Sequence, residues 1–221
     1  MITGWLIYVL WTLIAGILGL FISAVFAGKF HLKRSLFLIP YVLLVGLFLF
    51  GYFKWTHLNI GKMIIQNWLW GVIAAIVVSI IMVRNVLSQP SSPRSKGPKL
   101  IFELFWFGII YGMLDALLLS VLPVLITWQA FPDLGNTILG KAGVALLAII
   151  ASEFITTAYH AGYPEFRNSS LVLPAIGNGI MTLAYILSMN PISSVGSHVV
   201  MHITAVLRGT EKTIQLPPHY E

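Results

Sequence analysis

The sequence predicts an all-α polytopic transmembrane helix bundle of about seven spans. Three observations carry that prediction. The 221 residues are 58% hydrophobic and only 9% charged, whereas soluble domains carry about 25% charged residues. Mean hydropathy is +0.90. The apolar residues also fall into runs close to the ~20 residues that a helix needs to cross a bilayer core.

Taken in order, the runs place helices at 4–27, 35–53, 64–83, 101–127, 139–160, 171–188 and 195–208. The first has no positive flank before it and is followed by Lys29 to Arg34. It therefore reads as a retained span and not a cleaved signal peptide. Within it, Ala15, Gly19, Ser23 and Ala27 recur every fourth residue, and such a row lets helix backbones approach closely. It suits packing within the chain, with a homo-oligomer face through span 1 as the second reading. The fourth run contains Pro123, which predicts a kink or an early end. The sixth carries Pro174, Gly177, Asn178 and Gly179, a close-packing pattern with Asn178 as hydrogen-bonding glue. Met189-Asn-Pro-Ile192 is a turn signal.

The chain divides into a three-span part (1–87), a Pro/Ser/basic linker (88–99), a four-span part (100–208) and a tail (209–221), in which Gln215 to Glu221 is expected to be extended or disordered. With the N-terminus outside and the C-terminus inside, ten basic residues are cytoplasmic (Lys29, Lys33, Arg34, Arg84, Arg94, Lys96, Lys99, Arg167, Arg208, Lys212) and three are outside (Lys54, Lys62, Lys141). That asymmetry selects the orientation and an odd number of spans. The expected location is the cytoplasmic membrane of a prokaryote, with lipid as the surrounding partner. The net charge of +6 is accounted for by this topology and does not signal nucleic acid. The absence of cysteine excludes disulfides, zinc–thiolate sites, iron–sulfur clusters and thiol catalysis. No GxxxxGK[ST] phosphate-binding loop occurs.

Ionisable groups deep in a membrane are costly and mark functional sites. His198 and His202 stand four residues apart in the last run, one turn apart on one helix face. On the fifth run Glu153, Thr156, Thr157 and His160 share a face. On the fourth, Glu103 lies near the cytoplasmic end and Asp115 near the middle. Helix directions place Asp115, Glu153 and His202 at mid-depth, with Glu103 and His160 in a layer nearer the cytoplasm. Glu153, Glu103, His160, His198 and His202 are the candidate catalytic residues. His160, His198 and His202, completed by Glu153 or Asp115, are the candidate metal ligands, since imidazoles at i, i+4 ligate a divalent ion when a third ligand comes from elsewhere. The expected cofactor is a divalent metal such as zinc, with haem or iron as the alternative.

Residues 100–208 resemble the intramembrane protease family named for CAAX-prenyl proteases and bacteriocin-processing enzymes. That family places Glu-Glu-x-x-x-Arg on one helix, Phe-x-x-x-His on the next and His-x-x-x-Asn (or Asp) on the last. Here Phe102-Glu103-Leu104-Phe105-Trp106-Phe107 stands at the first stretch, with Phe102 for the first Glu and Phe107 for the Arg. Thr156 to His160 stands at the second, with Thr for Phe, and His198 to His202 at the third, with His202 for Asn. The resemblance implies a carboxylate that activates water beside polarising histidines, acting on a membrane-embedded peptide. The leading expectation is thus an intramembrane, peptidase-like hydrolase. The alternatives are a non-hydrolytic metal- or haem-binding membrane protein, a proton- or cation-coupled transporter using Asp115 and Glu153, and an accessory protein with a structural polar core.

Overall fold

The computed structural model describes residues 4–218, and His219 lies outside them. The helices are α1 (Gly4–Lys29), α2 (Arg34–Thr56), the short α3 (Ile60–Ile65), α4 (Trp68–Ser88), α5 (Gly97–Ala130), α6 (Ile138–Ala161), α7 (Val172–Ser188) and α8 (Ile192–Arg208). Every regular element among the described residues is helical. This follows from the composition: in an apolar medium each backbone N–H and C=O needs a partner, and a helix supplies them within one segment.

Six helices are long and apolar enough to cross a membrane: α1, α2, α4, α5, α6, and α7 together with the turn Ser169–Leu171 before it. The seventh expected span is α8. It has 17 residues, about 25 Å at 1.5 Å per residue, and one face carries Ser193, Ser194, Ser197, His198 and His202, all buried. The bundle's exterior is studded with large apolar side chains, among them Leu47, Ile138, Leu139 and Leu187.

α5 is the central helix. Within its most apolar stretch 78% of residues are buried, against 22–33% for the other five candidate spans. It is not a uniform α-helix: π turns at Leu104–Ile110 and Leu117–Val121 flank the α segment Tyr111–Ala116. π turns inside α-helices are frequent at functional sites.

The expected early end at Pro123 does not occur, because neighbouring helices replace what the proline removes. Pro123 has no N–H to offer the carbonyl four residues earlier, that of Leu119. The Ser152 hydroxyl of α6 donates to Leu119 O at 2.6 Å, and Asn178 Nδ2 of α7 reaches it at 3.5 Å. Asn178 also donates to Ser152 Oγ at 2.8 Å and accepts from Ser120 Oγ at 2.7 Å, and Thr182 Oγ1 lies 2.8 Å from Ser152 Oγ. A broken helix is tolerated in a membrane when such groups re-satisfy its backbone. The hydrogen-bonding role expected of Asn178 is thereby located.

Ala15, Gly19, Ser23 and Ala27 of α1 are all buried within the chain. α6 lies against this row: a Cβ on Gly19 would lie 3.1 Å from Tyr159 Cβ. An aromatic cluster of Trp11, Phe48, Tyr52 and Trp55 joins α1 to α2, and Tyr52 donates to Gln129 Oε1 at the end of α5 (2.8 Å).

The linker is non-helical from Gln89 to Lys96, as its composition predicts. The segment after α8 departs from expectation. It has no helix, but through Pro218 it packs onto the bundle, with Leu216 and Pro217 buried. Polar contacts tie its start to the linker: Ser92 N–H donates to Arg208 O at 3.2 Å, and Glu211 N–H donates to Ser92 Oγ at 3.2 Å.

Removing the Ser152 hydroxyl leaves the Leu119 carbonyl and the Asn178 amide short of partners. Ser152→Ala is expected to cost about 1–3 kcal/mol and to lower the melting temperature in detergent, while Ser91→Ala on the exposed linker leaves it unchanged. Equal melting curves for the two would refute the bracing role.

Candidate functional site

The turn between α7 and α8 sets where the histidines stand. Met189 adopts φ +52° and ends α7. Asn190 then works in two directions. Its Oδ1 accepts from Ile192 N–H at 2.8 Å, at the start of α8. Its Nδ2 reaches the carbonyls of Met63, Ile64 and Gln66 at 3.2, 2.9 and 2.6 Å, groups that the end of the short α3 would otherwise leave without partners.

Two glycines bring α8 against α5. A Cβ on Gly108 would lie 2.8 Å from Ile203 Cγ1, and one on Gly112 would lie 2.9 Å from His202 Cδ2 and 3.1 Å from Val199 Cα. A methyl group at Gly112 would press on the His202 ring and on two backbone atoms of α8. The pair is a Gly-x-x-x-Gly contact of the kind that packs membrane helices.

At this contact Asp115 of α5 meets both histidines. Asp115 Oδ2 lies 3.4 Å from His202 Nε2 and 3.7 Å from His198 Nδ1. The three residues are 4%, 1% and 2% exposed. None of the four imidazole nitrogens has a hydrogen-bond partner, a costly condition for buried polar atoms. The other carboxylate oxygen is held: Tyr41 O–H of α2 donates to Asp115 Oδ1 at 3.1 Å. One ligand atom from each of Asp115, His198 and His202 lies within 4.8 Å of the others. Ligands at about 2.0–2.1 Å from a tetrahedral ion stand roughly 3.3–3.4 Å apart, so the two Asp–His distances are close to those of a coordination sphere.

The trio opens onto a cavity of about 160 Å³ whose walls include Asp115, His160, His198 and His202. His160 Nδ1 lies 2.8 Å from Thr156 O. A carbonyl only accepts, so Nδ1 carries the proton and Nε2 keeps a lone pair. Below the trio, tyrosine hydroxyls form a chain: Tyr163 donates to Tyr159 at 2.6 Å, Tyr159 and Tyr111 are 3.0 Å apart, and the Tyr111 ring lies edge-on to His202 with centroids 4.8 Å apart.

The expected residues are sorted accordingly. Asp115, His198 and His202 come together, and His160 joins their cavity while Glu103 does not. Glu153 is not on the cavity wall. It is half-buried at the α6–α7 contact, where a Cβ on Gly179 would sit 3.1 Å from its Oε1. Glu103 is buried at the linker, accepting from Ser95 Oγ at 2.9 Å and lying 4.0 Å from Lys99 Nζ. The carboxylate of the trio is therefore Asp115, at mid-helix, and not either glutamate. Sequence reasoning missed Tyr41, Tyr111, Tyr159 and Gly112. Their signal was a polar or small residue inside an apolar run, easily taken for interfacial tyrosine or ordinary packing.

No family model matches the chain, and no curated protein or solved structure matches it either.

Gly112→Ala places a methyl group against the α8 backbone, an overpacking that typically costs about 1–3 kcal/mol. Its melting temperature is expected to fall clearly. Gly46→Ala, whose Cβ would meet nothing within 4 Å, leaves stability intact. A neutral Gly112→Ala would show that the helices do not approach this closely.

Proposed function

We propose that the protein is an intramembrane hydrolase that uses a divalent metal ion, zinc by preference, held by Asp115, His198 and His202. The observation that carries this reading is the one carboxylate oxygen facing two imidazoles at 3.4 and 3.7 Å, with all four ring nitrogens unpartnered in a buried site. Three protein ligands beside a cavity is the arrangement of a catalytic zinc, which keeps a position open. Asp115, His198 and His202 would hold the ion, which would supply carbonyl polarisation and a nucleophilic water at neutral pH.

The chain's own residues supply the rest. Tyr41 engages Asp115 Oδ1 and so leaves Oδ2 for the ion. Such outer-shell bonds fix ligand orientation and raise affinity. His160, fixed by its bond to Thr156 O, offers Nε2 as the group that takes a proton from water and returns it to the leaving group. The reading keeps the helix order on which the family resemblance rests: a carboxylate on α5, one histidine at the end of α6 and a histidine pair on α8. In this reading Asp115 stands in for the family's glutamate, and the substrate is a peptide within or at the membrane. The topology that goes with it has seven spans, with α8 as the seventh, N-terminus outside and C-terminus inside, in the cytoplasmic membrane of a prokaryote.

Metal content of detergent-purified protein, measured by mass spectrometry after zinc loading, tests the reading. Wild type should carry one ion per chain, Asp115→Ala and His198→Ala/His202→Ala none, and Glu153→Gln one. Tyr41→Phe should bind 10- to 100-fold more weakly. His160→Asn should keep the ion yet lose turnover on a panel of quenched-fluorescent peptides reconstituted in liposomes. A wild type that takes up no zinc, or a double histidine variant that keeps it, would end the metal reading. Loaded protein that cleaves no peptide would leave a binding protein and end the hydrolase reading.

A further inference from the structure

We infer that the segment Thr210–Pro218 is a strap, latched by Arg34, that closes one end of the Asp/His/His cavity and controls access to it. Gly209, at φ +112°, ends α8. The chain beyond it forms no helix, yet it does not leave the bundle. Ile214 to Pro218 form part of the cavity wall, beside Asn85, Tyr163 and Phe166. Thr213 and Leu216 are buried.

The strap's buried anchor is one cation. Arg34, 3% exposed at the start of α2, donates from Nε to Pro217 O at 2.6 Å and from Nη1 to Thr210 O at 2.5 Å. It forms no ion pair among the described residues. A buried guanidinium is normally matched by a carboxylate. Here it spends its donors on two main-chain carbonyls seven residues apart, which staples the segment at both ends whatever its side chains. The other ties to neighbouring elements are exposed: Glu211 N–H to Ser92 Oγ of the linker at 3.2 Å and Gln215 Nε2 to Asn85 Oδ1 of α4 at 3.4 Å. A segment with no secondary structure of its own and a few localised anchors is the kind that opens without unfolding the rest. The latch lies outside the Asp/His/His trio, so the strap can move while the trio stays assembled.

The inference concerns the cavity of the proposed function, but its test needs neither metal nor turnover. The chain has no cysteine, so Asn85→Cys/Gln215→Cys in the full chain can be joined by a short, reducible bis-thiosulfonate linker in lipid nanodiscs. After chelator treatment, the rate of diethylpyrocarbonate modification at His160 and His198 is read by mass spectrometry, with the exposed His57 as internal standard. The linked form should label more slowly than wild type, and reduction should restore the rate. Arg34→Gln should label about tenfold faster, reflecting loss of charge-assisted hydrogen bonds. Equal rates in the linked and reduced forms would overturn the inference and make the bilayer side the route of entry. Failure of the pair to link would overturn the strap's position itself. The linked pair decides the question even if Arg34→Gln does not fold.

Discussion

A carboxylate in the middle of an apolar bundle is the constraint around which this protein is arranged. Asp115 sits on the helix with the least exposure to the surroundings, and an isolated charge there would be prohibitive. The neighbouring helices gather polar groups around it. α2 supplies the Tyr41 hydroxyl to Oδ1, while α8 brings His198 and His202 to Oδ2. Gly108 and Gly112 are small because the two imidazoles can reach Asp115 only if α8 lies directly on α5. The site is therefore a consequence of helix packing, and its precision depends on backbone contact more than on side-chain length.

The same logic governs the irregularities. α5 contains two π turns and a proline, features that weaken a helix in isolation, yet the π turns bracket Tyr111–Ala116, the segment that carries Asp115. The carbonyl freed by Pro123 becomes the anchor for Ser152 and Asn178, tying α6 and α7 to α5. Asn190 does for the α7–α8 turn what Ser152 does for Pro123: it fills backbone groups that the membrane would leave unsatisfied. At Pro123 and at the α7–α8 turn, the break in regular helix is matched by polar side chains.

Much of this was legible in the sequence because apolar runs and spaced histidines are local signals. The helices fall close to their expected positions. The His198/His202 pair was read correctly as sharing one buried face, and the linker and the Met189–Ile192 turn follow from their Pro, Ser and Asn content. The partner of the histidines was harder to see. Glu153 and Glu103 looked the stronger candidates because a carboxylate beside a histidine on one helix face, or within a familiar-looking stretch, is visible in one dimension. Asp115 meets the histidines only across an interhelical contact that depends on Gly112. Tyr41 was hidden for the same reason, lying in the three-span part far from the polar residues in sequence. The segment after α8 looked free because its composition is that of a loop, whereas its buried anchor is an arginine 183 residues away from Pro217.

The most direct measurement is X-ray absorption at the zinc K-edge of the loaded protein in lipid. The account predicts a first shell containing two imidazole nitrogens at about 2.0–2.1 Å and one carboxylate oxygen at about 2.0–2.2 Å, with Asp115→Asn removing the carboxylate contribution while Glu153→Gln leaves the spectrum unchanged. A shell without two imidazoles, or one altered by Glu153→Gln and indifferent to Asp115→Asn, would contradict it.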